Sequence, residues 1–227
     1  MKTMMRVIAL LLLVPFGTMY GQDWAGLQRY HEDNQQVING KQNVIAVFLG
    51  NSITDIWIKA DSAFFASNGY VDRGISGQTT PQMLLRFRAD VIDLHPKVVV
   101  IEGGTNDIAG NTGPETLEMI EDNIASMCEL ASMHHIKVVL SSLLPAYDYW
   151  WHKGTYPSKK IVALNEWIKK YAAANHYVYL DYYSPLVDDH DAFKSAYSKD
   201  GVHPNSEGYK IMMPLAKKAV EEALAER

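Results

Sequence analysis

The 227-residue sequence predicts an α/β domain in which a parallel sheet of five strands is covered by helices on both faces. Three observations predict it. Five short apolar runs alternate with segments of helical periodicity. The runs are continuous Val, Ile and Leu stretches, as strands buried on both faces require. Several of them end in small polar residues, which is how strands of an open α/β sheet finish where they meet a ligand crevice. A hydrophobic content of 48% is enough to fill one core without disulfides.

The elements follow in order. Lys2 and Arg6, the apolar run Val7 to Phe16 and the small or neutral residues up to Gly21 have the layout of a secretory signal, too short to span a bilayer. Cleavage near Gly21 is expected to leave one domain, residues 22–227, exported to the periplasm or medium without stable membrane insertion. No cysteine follows the apolar run, which argues against a lipid-modified N-terminus. Trp24 to Ile38 reads as a surface helix. Val44 to Asp55 (VIAVFLGNSITD) reads as a buried strand that stops at Gly50 and presents Ser52 on the turn. Ile53 to Phe65 reads as a short helix, with Trp57 and Phe64 in the core or crevice wall, and Asn68-Gly69 as a turn.

Tyr70 to Ile75 is the second predicted strand. Thr80 as N-cap with Pro81 at the first helical position starts a helix expected to reach Leu94. Lys97 to Glu102 is a central strand, and Pro114 opens a helix whose apolar residues Leu117, Ile120, Ile124, Met127, Cys128 and Ala131 keep one face to Met133. Lys137 to Ser141 is a strand, Ser158 to Ala174 a helix, Tyr177 to Leu180 the fifth strand, and Ser206 to Ala225 the closing helix.

Composition narrows the function classes. Lys and Arg number 21 against 26 Asp and Glu, a net charge of −5 that becomes more negative without the leader, which argues against a nucleic-acid partner. The single cysteine, Cys128, can form no internal disulfide and reads as a small buried hydrophobe. Asp188, Asp189, His190 and Asp191 are consecutive, so they converge poorly on one ion and read as a solvated loop, as do His134 and His135. The chain has neither a G-x-x-x-x-G-K phosphate loop nor a G-x-S-x-G elbow.

Acyl transfer through a serine needs a base, a carboxylate that orients the base, and donors for the developing oxyanion. Ser52 is a candidate nucleophile; Asn-Ser after a strand also serves as a helix cap. Asp200 and His203 are close enough in sequence for the carboxylate to reach one imidazole nitrogen; an Asp-Gly turn followed by a surface histidine fits the same residues. Gly77 lets a backbone N–H approach a ligand, or makes a plain turn. Asn106 offers an amide donor, or caps the loop after the third strand.

Taken together, GNSIT, GISGQTT, GGTND and DGVHP, in this order and at these strand ends, resemble the SGNH hydrolases, also called the GDSL esterase and lipase family, across the chain beyond the leader. The resemblance implies a flavodoxin-like three-layer α/β/α sandwich. It implies Ser52 as nucleophile, Asp200 and His203 as the rest of the triad, and Gly77 and Asn106 with the Ser52 amide as oxyanion donors. It implies no metal or organic cofactor. Two positions depart from the family pattern: Asn51 stands where Gly-Asp-Ser has aspartate, and Gln78 follows the oxyanion glycine where an aspartate is common.

The loop carrying Tyr147, Tyr149, Trp150, Trp151 and Tyr156 is rich in aromatics. Flat rings beside a crevice suit sugar faces, which makes Tyr147, Trp150 and Trp151 candidate substrate contacts, while packing against the domain explains them equally. The expected function is a serine esterase removing small acyl groups, acetyl first, from a small-molecule or polysaccharide ester. A lysophospholipase, lipase or thioesterase acting on longer chains is the alternative enzyme, and a non-catalytic carbohydrate-binding protein the alternative class. No sequence feature specifies an oligomer.

Overall fold

The computed structural model describes residues 23–225, so the predicted leader lies outside the described residues. In chain order the elements are α1 (His31–Asn39), β1 (Ala46–Gly50), α2 (Ser52–Ala60), α3 (Ser62–Asn68), β2 (Tyr70–Gly74), α4 (Thr80–Asp90), β3 (Val98–Ile101), α5 (Thr105–Ile108), α6 (Leu117–Met133), β4 (Lys137–Ser141), α7 (Ser158–Ala174), β5 (Val178–Leu180), α8 (Tyr183–Leu186) and α9 (Ser206–Ala225). The five strands are all parallel in the order β2-β1-β3-β4-β5. This is the flavodoxin-like winding, whose growth direction reverses between β1 and β3 and leaves a crevice at their carboxyl ends.

Side-chain alternation along each strand builds the three layers. Val47, Leu49, Val99, Ile101, Val138 and Leu140 pack with Met83 and Phe87 of α4, Ile120 and Ile124 of α6, and Ile161 and Leu164 of α7. Ala46, Phe48, Val98, Val100 and Val139 pack with Trp57 of α2, Phe65 of α3, and Tyr209, Met212 and Ala216 of α9. Phe48 meets the rings of Trp57, Phe64, Phe65 and Tyr70 at centroid distances of 5.2–6.2 Å. Truncating a ring so enclosed costs about 3–5 kcal/mol. Cys128 is fully buried in the α6 face, and that burial pushes its thiol pKa up.

Several predicted boundaries move, each for a local reason. The helix expected over Trp24 to Ile38 is confined to α1: Gly26 takes a left-handed φ of 70°, and the Asp23 carboxylate collects the Leu27 and Gln28 N–H groups into a turn. The single helix expected over Ile53 to Phe65 is two, because Asp61 is extended and caps α3 by accepting from Phe64 N. The cap of α4 is Thr79 rather than Thr80, since Gln82 closes a capping box with Thr79 while the Thr80 hydroxyl turns to Asp107. That helix ends at Asp90, and Ile92–Leu94 form a 3₁₀ turn. α6 begins beyond Pro114, at Leu117, where Thr116 Oγ1 accepts from Met119 N.

Candidate active site

β1 delivers Ser52 to the crevice. A Cβ on Gly50 would lie 2.1 Å from Thr54 Oγ1, so only glycine lets the first turn of α2 close onto the strand end. Asn51 Oδ1 then caps α2 by accepting from Ile53 N at 2.9 Å. Ser52 is therefore the first helical residue, where the helix itself leaves backbone N–H groups without partners and its dipole favours negative charge.

Ser52 Oγ lies 2.9 Å from His203 Nε2, and His203 Nδ1 lies 2.7 Å from Asp200 Oδ2. Asp200 Oδ1 accepts from the backbone N–H groups of Val202 and His203, which folds the carboxylate back onto its own turn around Gly201 (φ 77°). Burial raises the Asp200 pKa, but the hydrogen bonds from the His203 ring and from the turn outweigh it and hold the carboxyl below its usual range. An ionised Asp200 calls for a proton on Nδ1, leaving Nε2 as the acceptor facing Ser52.

The loop after β2 supplies the opposite wall. Gly77 has φ 82°, and a Cβ there would meet nothing within 4 Å, so the residue is glycine for its backbone rather than for crowding. Its carbonyl accepts from Asn111 Nδ2 at 3.0 Å, and the Gln78 carbonyl accepts from Asn106 Nδ2 at 2.9 Å. The Asn106 amide has a second N–H beyond the one used on Gln78, and Asn106 borders the pocket. Arg86, fully buried, donates to the Gln78 side-chain oxygen at 2.6 Å and to the Gly50 carbonyl at 2.9 Å, while Asp90 balances its charge at 2.9 Å. One guanidinium thus ties the end of β1, just before Ser52, to the loop facing it. Gln78 also donates to the Ala25 carbonyl, at 2.6 Å, fastening the turn before α1.

These segments enclose a pocket of about 290 Å³ lined by Ser52, Ile56, Ser76, Gly77, Asn106, Asn111, Trp150, Trp151 and His203. Trp150 is 61% exposed at its rim. Trp151 stacks on buried Tyr149 at 4.8 Å and donates its Nε1–H to Asn111 Oδ1 at 3.0 Å. Tyr147 does not line this pocket; its ring meets Tyr156 edge-on at 5.7 Å. A larger hollow, about 520 Å³, is lined by Asp107, Glu115, His152, Lys153 and Lys160 among others, and contains no serine–imidazole pair. Ile56, Ser76 and Asn111 were not singled out from the sequence. Asn111 follows the third strand by a loop and a short helical turn and carries no motif of its own; Ser76 lies inside GISGQTT, next to the glycine that drew notice.

A serine in contact with an imidazole that a carboxylate orients, placed at the switch point of a doubly wound sheet, describes the class of acyl hydrolases. Residues 48–211 match the GDSL-like Lipase/Acylhydrolase family, and the chain belongs to it. It is accordingly a carboxylic ester hydrolase. The chain is 45% identical to a candidate acylhydrolase from Bacteroides fragilis, with a TM-score of 0.84 covering 89% of this chain and 99% of that one. It is 46% identical to a GDSL-like lipase from Bacteroides thetaiotaomicron, with a TM-score of 0.81 covering 88% and 98%. An acetylxylan esterase from Geobacillus stearothermophilus, 18% identical with a TM-score of 0.62 covering 78% and 94%, shares the fold. A further relative, the uncharacterized lipoprotein YqeF of Bacillus subtilis (strain 168), is 36% identical over 81 residues, 34% of this chain and 33% of the relative, so the match spans about a third of that protein. Among the described residues, no helix is long and apolar enough to cross a membrane.

Proposed function

We propose that this chain is an exported serine esterase that removes small acyl groups, acetyl first, from carbohydrate. The observation carrying the reading is the continuous contact from Asp200 through His203 to Ser52 at the mouth of a pocket walled by Trp150 and Trp151. His203 Nε2 takes the hydroxyl proton as Ser52 Oγ bonds to the ester carbonyl carbon. The Ser52 and Gly77 N–H groups and the free Asn106 N–H receive the oxyanion. As the ester C–O bond breaks, His203 returns the proton to the leaving alcohol, and water repeats the sequence on the acyl-enzyme. Asp200 keeps the imidazole in the tautomer that accepts from Ser52.

The indole rim of the pocket suits the apolar face of a sugar ring. Hydrolysis of 4-nitrophenyl acetate, butyrate and octanoate, with Ser52→Ala as control, tests the proposal. Acetate preference with loss of turnover in Ser52→Ala supports it. Octanoate preference supports a lipase or thioesterase, and turnover indifferent to Ser52→Ala overturns the mechanism. The proposal also holds that residues 1–21 are a leader; N-terminal sequencing of the exported protein should begin near residue 22.

A further inference from the structure

Behind Ser52, five polar atoms are buried without a hydrogen-bond partner in a part of the core that the mechanism above does not use. They are Asn51 Nδ2, both Glu102 carboxyl oxygens, Trp57 Nε1 and Tyr182 Oη. Buried polar groups in native proteins are nearly always satisfied, so a cluster of orphans asks for an explanation. Their positions supply one. Glu102 follows β3 and its backbone N–H donates to Leu49 of β1, so its side chain starts level with the Gly50-Asn51 end of the neighbouring strand. Glu102, Trp57 and Tyr182 line a cavity of about 10 Å³, enough for one water. Asn51 and Glu102 also influence one another: burial pushes the Glu102 pKa up to about 8, against a smaller downward pull from the Asn51 side-chain and backbone N–H groups, although neither Glu102 oxygen closes a bond of ordinary geometry.

The other groups facing Glu102 do not neutralise a negative charge. Asp107 of α5 adds repulsion, and the Tyr182 and Tyr209 hydroxyls are pushed toward the neutral form, first by burial and then by Glu102. Tyr209 donates to the Ile53 carbonyl, and Met212 of α9 closes the cavity. Aspartate at position 51 would put a second carboxyl into this enclosure beside Glu102.

We infer that Asn51 and Glu102 form an uncharged positioning pair, in which the Asn51 amide donates to the protonated Glu102 carboxyl, one water joins that carboxyl to Trp57 and Tyr182, and the pair fixes the peptide that carries the Ser52 N–H. This rests on the reading of that N–H as an oxyanion donor. It also accounts for Gly-Asn-Ser in place of Gly-Asp-Ser: one Asn51 side chain caps α2 with its oxygen and still offers N–H to Glu102, which an aspartate does not. Neither residue touches substrate; both act through Ser52.

The test compares the wild type with Asn51→Asp, Glu102→Gln and the double variant, measuring kcat and KM on 4-nitrophenyl acetate across neutral and alkaline pH, corrected for spontaneous hydrolysis, together with thermal unfolding. Two adjacent buried carboxyls titrate as a coupled pair, so Asn51→Asp should add an alkaline decline in kcat, reaching about tenfold near pH 9 with little change in KM. Glu102→Gln alone should stay within about threefold of wild type, and the double variant should lose the alkaline decline. A parallel pH profile in Asn51→Asp, or the same decline in both backgrounds, overturns the pair. Should Asn51→Asp not fold, the double variant must fold, and its failure to do so also overturns the pair. Ser52→Ala separates this from the mechanism: if it remains active, attack by the Ser52 hydroxyl fails and the proposed function with it, whereas coupling between positions 51 and 102 is still read in unfolding.

Discussion

Replacing Asn106 by alanine removes two interactions whose consequences fall on different measurements. Asn106 is 2% exposed, and its amide nitrogen donates one N–H to the Gln78 carbonyl at 2.9 Å while the residue borders the pocket. On the proposed mechanism the second N–H receives the oxyanion, and its loss should lower kcat by about a hundredfold to a thousandfold, or ~2.7–4 kcal/mol. KM for 4-nitrophenyl acetate should change by less than about threefold, because the charge being stabilised develops only in the transition state. Loss of the bond to Gln78 strands a buried carbonyl, at a cost of about 1–3 kcal/mol in stability. For a chain of this length that corresponds to a fall in Tm of roughly 2–4 °C per kcal/mol. Asn106→Asp keeps the shape but offers only acceptors, so it should be slower than Asn106→Ala. Steady-state kinetics and calorimetry on the two variants read both effects. A kcat for Asn106→Ala within about fivefold of wild type refutes the donor role, and a lowered Tm with unchanged kcat assigns Asn106 to holding the loop alone.

Trp151, Asn111 and Gly77 are joined by successive hydrogen bonds of 3.0 Å, so Trp151→Phe and Asn111→Ala should each lower kcat and together do little more than the stronger alone, a coupling of about 0.5–3 kcal/mol in a double-variant cycle. Additive losses would mean that the indole does not act through Asn111. Trp150→Ala should raise KM for an acetylated oligosaccharide about twofold to tenfold and leave 4-nitrophenyl acetate unaffected, as loss of a stacking face would; equal effects on both substrates would count against a sugar platform. Burial raises the pKa of Asp72 to about 7, Glu102 to about 8 and Asp107 to about 7. The folded protein then keeps protons that the unfolded chain releases near pH 4, so stability should fall as pH rises from about 4 to 8. Asp55 and Asp200, whose pKa values are lowered, contribute changes only below that window. Tm should be lower near pH 8.5 than near pH 5.5, with the gap narrowed in Glu102→Gln; a flat or rising Tm contradicts the assignment.

Much of the fold was legible because its signals are local. The valine run of β3, the three-four spacing of α6 and the Thr-Pro start of α4 each declare themselves within one or two turns of chain. The boundaries that moved were decided by contacts outside that range, or by one residue's backbone. Thr79 replaced Thr80 as cap because Asp107, following β3, takes the Thr80 hydroxyl. The stretch around Gly26 left the helix because its turn packs beneath Gln78.

The site divides in the same way. Strand ends and the Asp-Gly-Val-His turn made Ser52, Gly77, Asn106, Asp200 and His203 candidates in the sequence, and the resemblance of GNSIT, GISGQTT, GGTND and DGVHP taken together, rather than any one of them, assigned their roles. Only tertiary packing brought Asn111 between Trp151 and Gly77, turned Tyr147 away toward Tyr156, and set Arg86 between the end of β1 and the facing loop. The sequence by itself determined the sheet, its helical layers and the residue types that acyl transfer needs, because periodicity, caps and turns are short-range properties of the chain. Which polar groups share a buried space was decided by the folded structure, because desolvation and hydrogen bonding there depend on neighbours as far apart as residues 51, 102 and 182.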